Sequence, residues 1–435
     1  MRKIFKKIIV FILSIEAKIV LRKYKPKIVA ITGSVGKTSA KETIFAALDT
    51  SFYVRKSRKS YNSEIGIPLA VLGVETGWGS PWKWFKNIIE GALLIILPNI
   101  YPKWLVLEAG VDHPKDMDFI AGLIKTDLVV FSRFPDVPVH AEFFNSPEEI
   151  FREKIKLLKT LKNSGALILN YDDKKIRSIK DGSGKHALTY GFDEGANIRA
   201  SNLEVSYKES KPAGINFKVN IGGGSFPVFL EGVLGEQFAY SILSAVAVSH
   251  ALNLNIIKVI EAFQNFKSPA GRMRILDAIF DSTVIDDSYN SSPVALEKAL
   301  EAFRSIEIKK TEEGGGRKIA VLGDMMELGR FEKNEHRVSG EIVGEFTDFL
   351  LTVGRRAKFI AEGARNSGFP KEKIYEFEDS DSAGEFLKNF IRKGDLILIK
   401  GSQSLRLEKV TKKILARPEE AKLLLVRQEK EWQNR

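Results

Sequence analysis

The sequence predicts an α/β protein made of two doubly wound sheets in tandem, the first with a small β-rich extension. Three observations carry that prediction. Short apolar runs alternate with helical stretches along most of the 435 residues, as strand–helix–strand units do. The first such run, KIVAIT, turns through glycine directly into a helix opening KTSAKETIF. From about Asn197 to Leu230 the text becomes alternating and β-rich, and after FKSPAGRMRIL a second strand–helix pattern begins. The predicted parts are residues 1–25, 26–268 with an apolar insertion at 77–103, and 269–435, the main boundary lying near Pro269–Gly271.

A chain of this length exceeds one core, and 44% hydrophobic with 28% charged residues reads as globular. The net charge of +12, from 67 basic and 55 acidic residues, suits anionic partners. Much of the excess is local, in MRKIFKK and LRKYKPK around the first apolar run, unlike a diffuse nucleic-acid footprint. The absence of cysteine excludes disulfides, cysteine–zinc sites and thiol catalysis, and fits a cytoplasmic setting.

Taken in order, residues 1–25 hold an apolar run, Ile8 to Leu13, that is too short to span a bilayer. Glu16 and Lys18 soon interrupt it, and no small-residue cleavage site succeeds it. Lys3, Lys7, Ser14 and Lys18 fall near one face, with Ile4, Ile8, Phe11, Ile12 and Ile15 mostly elsewhere. This fits a helix at the inner face of the membrane; a helix packed on its own domain fits too. KIVAIT, KWLVLEAG, TDLVVFS and GALILNYDD are predicted strands of the first sheet. The insertion carries Trp78, Trp82, Trp84 and Trp104, four of five tryptophans. Aromatic residues beside lysines suit a membrane interface, and a core hairpin or an oligomer contact is the alternative. STVIDDS, RKIAVLGDM, DFLLTVG and DLILIKGS are the strands predicted for the second sheet. KKTEEGGGRK is read as a surface loop between two of them.

The chemistry starts at ITGSVGKTSAKET, residues 31–43. A strand–glycine turn–helix unit aims backbone N–H groups and a helix N-terminus at phosphate. Gly33 and Gly36 allow the turn, Lys37 can reach a transferring phosphate, and Thr38 offers a hydroxyl to Mg²⁺. The first glycine of the usual eight-residue loop is absent, its place held by Ile31. Glu108 ends a buried-type strand, where such sheets place ligand groups, although it could instead cap the next helix. His140 in VPVHAEFF is ambiguous by itself.

Together these residues resemble the Mur ligases, ATP-dependent amide ligases that build peptidoglycan stem peptides. The resemblance runs from about Lys27 to Ala416 through ordered motifs: TGSVGKTSAKE, SYNSEIGIPLAVL, LVLEAGVDHPKDM, VHAEFFNSPEEIFREK, GRMRIL, IDDSYNSSPVAL, IAVLGDMMELG with His336, and LIKGSQSLRLEKV. It implies a P-loop-type central domain and a Rossmann-like C-terminal domain. It also implies that Gly33, Ser34, Val35, Gly36, Lys37, Thr38 and Ser39 hold the ATP phosphates. Thr38, Glu108 and His140 would surround Mg²⁺, and Lys154 matches a lysine that the family carbamylates into a metal-binding carboxylate. Asn62 would lie in the phosphate or substrate region. Arg272, Asp287, Tyr289 and Asn290 match positions that meet the nucleotide when domains close.

The implied reaction activates a carboxylate as an acyl phosphate and then joins it to an amine, with D-alanyl-D-alanine and a peptidoglycan peptide precursor as the expected pair. A membrane-associated ligase resembling poly-γ-glutamate synthases, or a non-catalytic nucleotide-binding scaffold, are the alternatives. Three departures stand out. Only about 30 residues precede the loop, where the family has a UDP-sugar-binding domain. GEQFAYS places Gln237 and Phe238 where the family has His-Asn, and Gln403 stands where an arginine is common.

Overall fold

Seven strands of the first sheet run parallel: β1 (Lys27–Thr32), β2 (Val54–Lys56), β3 (Trp104–Glu108), β4 (Thr126–Phe131), β5 (Leu161–Asn170), β6 (Ala187–Gly191) and β7 (Ile198–Lys208). β8 (Lys211–Ile221) and β9 (Gly224–Glu231) add antiparallel to β7, giving the order β2-β3-β1-β4-β5-β6-β7-β8-β9. The alternating sequence from 197 to 230 is thus an extension of this sheet. The computed structural model describes residues 2–57, 64–137, 141–308 and 316–433. Asn62, His140 and most of the KKTEEGGGRK loop fall outside them.

The second sheet holds β10 (Arg274–Ala278), β11 (Ser282–Asp287), β12 (Lys318–Gly323), β13 (Phe349–Val353), β14 (Ile374–Phe377) and β15 (Leu396–Lys400), ordered β10-β11-β15-β12-β13-β14. Only β10 is antiparallel to its neighbour. β2, β6, β10 and β14 are absent from the sequence reading. Three are sheet edges and all four are only partly buried, so none offers the continuous buried run that marks β1, β3 or β15.

Four helices frame the phosphate loop and the sheet face behind it. α1 (Arg2–Tyr24) stops before Pro26, and Arg22 and Lys23 in its last turn complement the helix dipole. α2 (Lys37–Asp49) packs on the first sheet beside the helix Glu236–Ala251, and the Thr43 hydroxyl donates to the Ser241 carbonyl (2.8 Å). α3 (Gly66–Leu72) is buried throughout. α4 (Pro81–Ile96) starts with a Ser80 cap and Pro81 at its first position.

α1, α3 and α4 cover the sheet face opposite α2, and Leu13, Ala17 and Val20 enter the core there with Leu105 and Leu107 of β3. Each such aliphatic side chain contributes about 1.5–3 kcal/mol. The expected polar face of α1 needs correction at Ser14. Ser14 is buried, its hydroxyl donating to the Val10 carbonyl (2.5 Å), because the packed stripe Ile9–Leu13–Ala17–Val20 turns it inward. Trp104 likewise belongs to the core, 2% exposed on β3.

Candidate active site

The register Ile31↔Glu108 and Thr32↔Phe131 brings the carboxyl ends of β1, β3 and β4 level with one another. Ligands in such sheets bind at this edge, where the chain crosses from one side of β1 to the other. The loop after β1 is held from β4. The Ser132 hydroxyl donates to the Val35 and Thr32 carbonyls (2.7 and 3.1 Å), and the Ser34 amide donates to the Arg133 carbonyl (2.7 Å). Gly33 has φ 142°, and a Cβ there would stand 1.9 Å from the Ser132 hydroxyl, so only glycine fits. Gly36 has φ 84° and caps α2, with nothing within 4 Å of where its Cβ would be. The open N-terminus of α2 therefore faces free space, its first N–H groups available to an anion.

Two lysines converge on this loop. Lys37 folds back, its Nζ donating to the Gly33 and Ser34 carbonyls (3.0 and 3.4 Å). Lys154 comes from the helix Pro147–Ile155 and donates to the Gly33 carbonyl (3.1 Å) and the Ser34 hydroxyl (2.9 Å). Burial lowers the pKa of Lys37; Glu108 and Asp112 oppose that shift and Arg272 adds to it. Lys154 is pushed well below the usual lysine range, chiefly by burial and then by the Lys37 charge. An amine so placed is held toward its neutral, nucleophilic form.

The Thr38 hydroxyl lies 3.2 and 3.4 Å from the two oxygens of Glu108, which is 2% exposed. The fully buried Lys41 stands 3.9 Å from Glu108 and 3.5 Å from Glu42. No group of three His, Cys, Asp or Glu that could hold a metal occurs among the described residues. The donor set here, one hydroxyl and one carboxylate at the mouth of an anion site, still fits Mg²⁺. That ion takes hard oxygens and draws most of its shell from water and phosphate.

The second sheet closes over the loop. Arg272 stacks on the Tyr289 ring (4.0 Å) and is near enough to Lys37 to perturb it. Asp287 accepts from the Met273 amide (3.2 Å) and from Lys400 Nζ (2.6 Å), a buried ion pair. Lys400 also donates to the Asn290 carbonyl (2.9 Å).

Two clefts meet at α2. The narrow one is lined by Gly36, Asn170, Gln237, Tyr240, Asp287 and Lys400. The wide one, about 760 Å³, is lined by Thr38, Lys41, Trp78, Tyr289, Gln403 and Arg427. Arg272 borders both.

Of the residues singled out from the sequence, the loop from Gly33 to Ser39, Glu108, Lys154 and Arg272 come together. Asp287 and Tyr289 line opposite clefts. Asn290 supports them, its side-chain oxygen accepting from the Gln403 amide (3.4 Å). The departing segment keeps its place: Gln237 lines the narrow cleft, with Nε2 donating to the Leu234 carbonyl (3.1 Å) and a buried Oε1 without a hydrogen bond. Lys400 was missed, although a charge ending the apolar strand DLILIK is the signal that singled out Glu108. Arg427 and Trp432 were missed as well. They return from the C-terminal tail, Arg427 donating to Glu408 (2.8 Å) and Trp432 meeting Trp78 edge-on (5.9 Å). No local pattern marks them.

The description of the Mur ligase middle domain matches residues 93–249, and that of the Mur ligase glutamate ligase domain matches residues 271–403. The UDP-N-acetylmuramoyl-tripeptide–D-alanyl-D-alanine ligase of Bacillus subtilis (strain 168) is 27% identical over 403 residues, covering 92% of this chain and 79% of its own. The enzyme of that name from Escherichia coli (strain K12) is 24% identical over 391 residues, with 89% and 76% covered. Among solved structures, MurF ligase from Thermotoga maritima in complex with ADP superposes with a TM-score of 0.75 at 23% identity, covering 95% of this chain and 84% of that one. Folylpolyglutamate synthase from Mycobacterium tuberculosis gives 0.65 at 13% identity, with 92% and 94% covered, a likeness of fold alone.

Proposed function

The chain belongs to the Mur ligase family, and from that premise we propose that it is an ADP-forming ligase joining D-alanyl-D-alanine to a peptidoglycan peptide precursor. One observation supports this most: the phosphate loop, two desolvated lysines, the Thr38–Glu108 pair and Arg272 meet where a narrow and a wide cleft adjoin. The narrow cleft takes the adenosine of ATP, and the unpaired Gln237 oxygen suits an exocyclic amine. The wide cleft takes the peptide precursor, with Lys267, Arg272 and Lys422 on its walls to meet carboxylates. The two substrates then approach one another over the N-terminus of α2.

The substrate carboxylate oxygen attacks the γ-phosphorus of ATP, ADP leaves, and an acyl phosphate forms. The dipeptide amine then attacks the acyl carbon, loses a proton and displaces phosphate. Lys37 and the loop amides from Gly33 to Ser39 neutralise charge on the transferring group. Arg272, brought in by the second sheet, adds positive charge on the side facing both clefts, and Asp287 and Asn290 hold that side through Lys400. Closure of the two sheets excludes water, which would otherwise hydrolyse the acyl phosphate.

Thr38, Glu108 and His140 would hold Mg²⁺, which when bound would supply charge neutralisation at the phosphates. Lys154 would contribute as a carbamate: its neutral amine adds to the carbon of CO₂ and releases a proton, placing a carboxylate beside the loop. Such an enzyme works in the cytoplasm, where ATP is supplied.

ADP release with UDP-linked tripeptide and D-alanyl-D-alanine tests the reading. Release should need both substrates and vanish in Lys37→Ala. Full activity of that variant, or release driven by glutamate in place of the dipeptide, would overturn it.

A further inference from the structure

Of the 20 large hydrophobic side chains exposed among the described residues, 12 lie on α1, on α4 and in the turn after α4, so apolar exposure is concentrated at one place. On α1 the residues Ile8, Phe11, Ile15 and Ile19 recur at steps of three and four. On α4 the residues Trp82, Phe85, Ile89, Leu93 and Ile96 do the same. Each set is one helix stripe. The opposite stripes, with Leu13 and Ala17 on α1 and Trp84 and Leu94 on α4, are buried in the protein. Both helices are therefore apolar on two sides, whereas a surface helix normally turns charge to water. Four of the twelve are aromatic and eight are Ile or Leu; at roughly 100 Å² exposed for each such large side chain, they present on the order of 1,000 Å². Ordinary monomers expose contiguous patches of a few hundred.

The two stripes form one surface because the helices are locked together. Gly91 of α4 sits against Glu16 of α1, where a Cβ would come within 2.2 Å of the carboxylate. Lys23 donates to the carbonyls of Leu94, Ile95 and Leu97 (3.1, 2.7 and 2.7 Å), and the Tyr24 hydroxyl donates to that of Leu94 (2.9 Å). Around the apolar field stand Lys6, Lys7, Lys18, Arg22, Lys83 and Lys86. Lys6 pairs with Glu64, Lys83 with Glu431 and Lys86 with Glu90. Lys7, Lys18 and Arg22 have no salt bridge among the described residues, so the rim keeps a positive excess.

We propose that the α1–α4 face docks on an anionic lipid bilayer, with both helices lying in the plane of the headgroups. An apolar stripe with a basic rim is the pattern of an interfacial helix. Among the described residues no helix is long and apolar enough to cross a membrane, and one side of each is committed to the protein core. A second copy of the chain is the poorer occupant, because a two-fold contact would set the same cationic rim against itself. Docking also holds the wide cleft near the membrane, since its wall residue Trp78 accepts from Trp84 of α4 (3.0 Å). The inference is independent of the ligase reading.

The test is co-sedimentation of the full chain with vesicles of phosphatidylglycerol and phosphatidylcholine in equal parts, against phosphatidylcholine alone. Removing α1 would take Leu13 and Val20 from the core, so the variant is the triple substitution Phe11→Ser, Trp82→Ser, Ile96→Ser, at side chains 67%, 73% and 74% exposed. Wild type should pellet with the anionic vesicles and be released by salt. The variant, with unchanged circular dichroism, should partition at least about tenfold more weakly. Failure of wild type to bind, equal binding to both vesicles, or undiminished binding of the variant would each overturn the proposal. So would a wild-type dimer that the substitutions dissociate without any vesicle binding.

Discussion

Replacing Glu16 by glutamine should stabilise the protein above neutral pH and leave it unchanged in acid. Glu16 is 7% exposed in the α1–α4 interface, and its Oε2 has no hydrogen-bond partner. Burial raises its pKa from 4.5 to about 7, and no charged neighbour offsets that cost. The folded state thus holds the proton more tightly than the unfolded chain does. Below pH 4.5 both states are protonated and nothing is lost. As pH rises from 4.5 through 7 the unfolded chain ionises first, so stability falls, and above 7 the whole cost is present. At about 1.4 kcal/mol per pH unit, the rise from 4.5 to about 7 sets an upper bound of about 3.5 kcal/mol. Local relaxation and water penetration in the interface reduce that bound, so about 1–2 kcal/mol is expected. Glutamine keeps the volume beside Gly91 and carries no charge.

Urea denaturation followed by tryptophan emission reads this directly, because four of the five tryptophans lie between residues 78 and 104. Other groups titrate over the same range, among them the buried Asp286, raised to about 6. The quantity to compare is therefore wild type against variant at each pH. Equal stability at about pH 8, or a difference that persists on acidification to 4.5, would refute the reasoning.

The site itself supports three further outcomes. Depleting dissolved CO₂ should slow the wild-type reaction and bicarbonate should restore it, while Lys154→Ala, slower by about a hundredfold or more, should be indifferent to bicarbonate; an equal response of both would exclude the carbamate. Gly33→Ala forces a Cβ to 1.9 Å from the Ser132 hydroxyl, so ADP affinity measured by calorimetry should fall at least about tenfold, and unchanged affinity would show that the loop does not hold phosphate in this form. Asp287→Ala leaves the buried Lys400 charge unpaired and should cost about 3–5 kcal/mol in denaturant unfolding, most of it recovered in Asp287→Ala with Lys400→Met; no recovery in the double variant would place the cost elsewhere.

The parallel core was legible because buried strands read as continuous apolar runs, and β1, β3, β4 and β15 do. The phosphate loop was legible because its spacing is local. What was not legible depends on long-range contact. Ser14 looks polar and is buried, since the stripe that packs on α1 is chosen by α3 and α4, not by α1 itself. The apolar character of α1 and α4 was plain in the sequence, but whether they met protein or lipid was posed there as a choice. The structure shows one buried and one exposed apolar stripe on each helix. Lys41, which the sequence reading did not single out, is fully buried, with Glu42 and Glu108 approaching it from two elements.

The glycine missing from the phosphate loop has a structural counterpart. Ile31, in its place, is wholly buried and paired in register with Glu108. A glycine there would weaken the strand at the one pairing that sets Glu108 level with Thr38. β1 instead runs through Ile31 to Thr32, and the turn is compressed into Gly33 to Gly36. The support that a longer glycine loop would draw from its own backbone comes here from β4, through Ser132 and Arg133. Substituting Ser132 should therefore loosen the loop even though no phosphate need touch it. The shortened motif and the position of Glu108 are two aspects of one arrangement: the strand is kept long so that hydroxyl and carboxylate face each other across the mouth of the anion site.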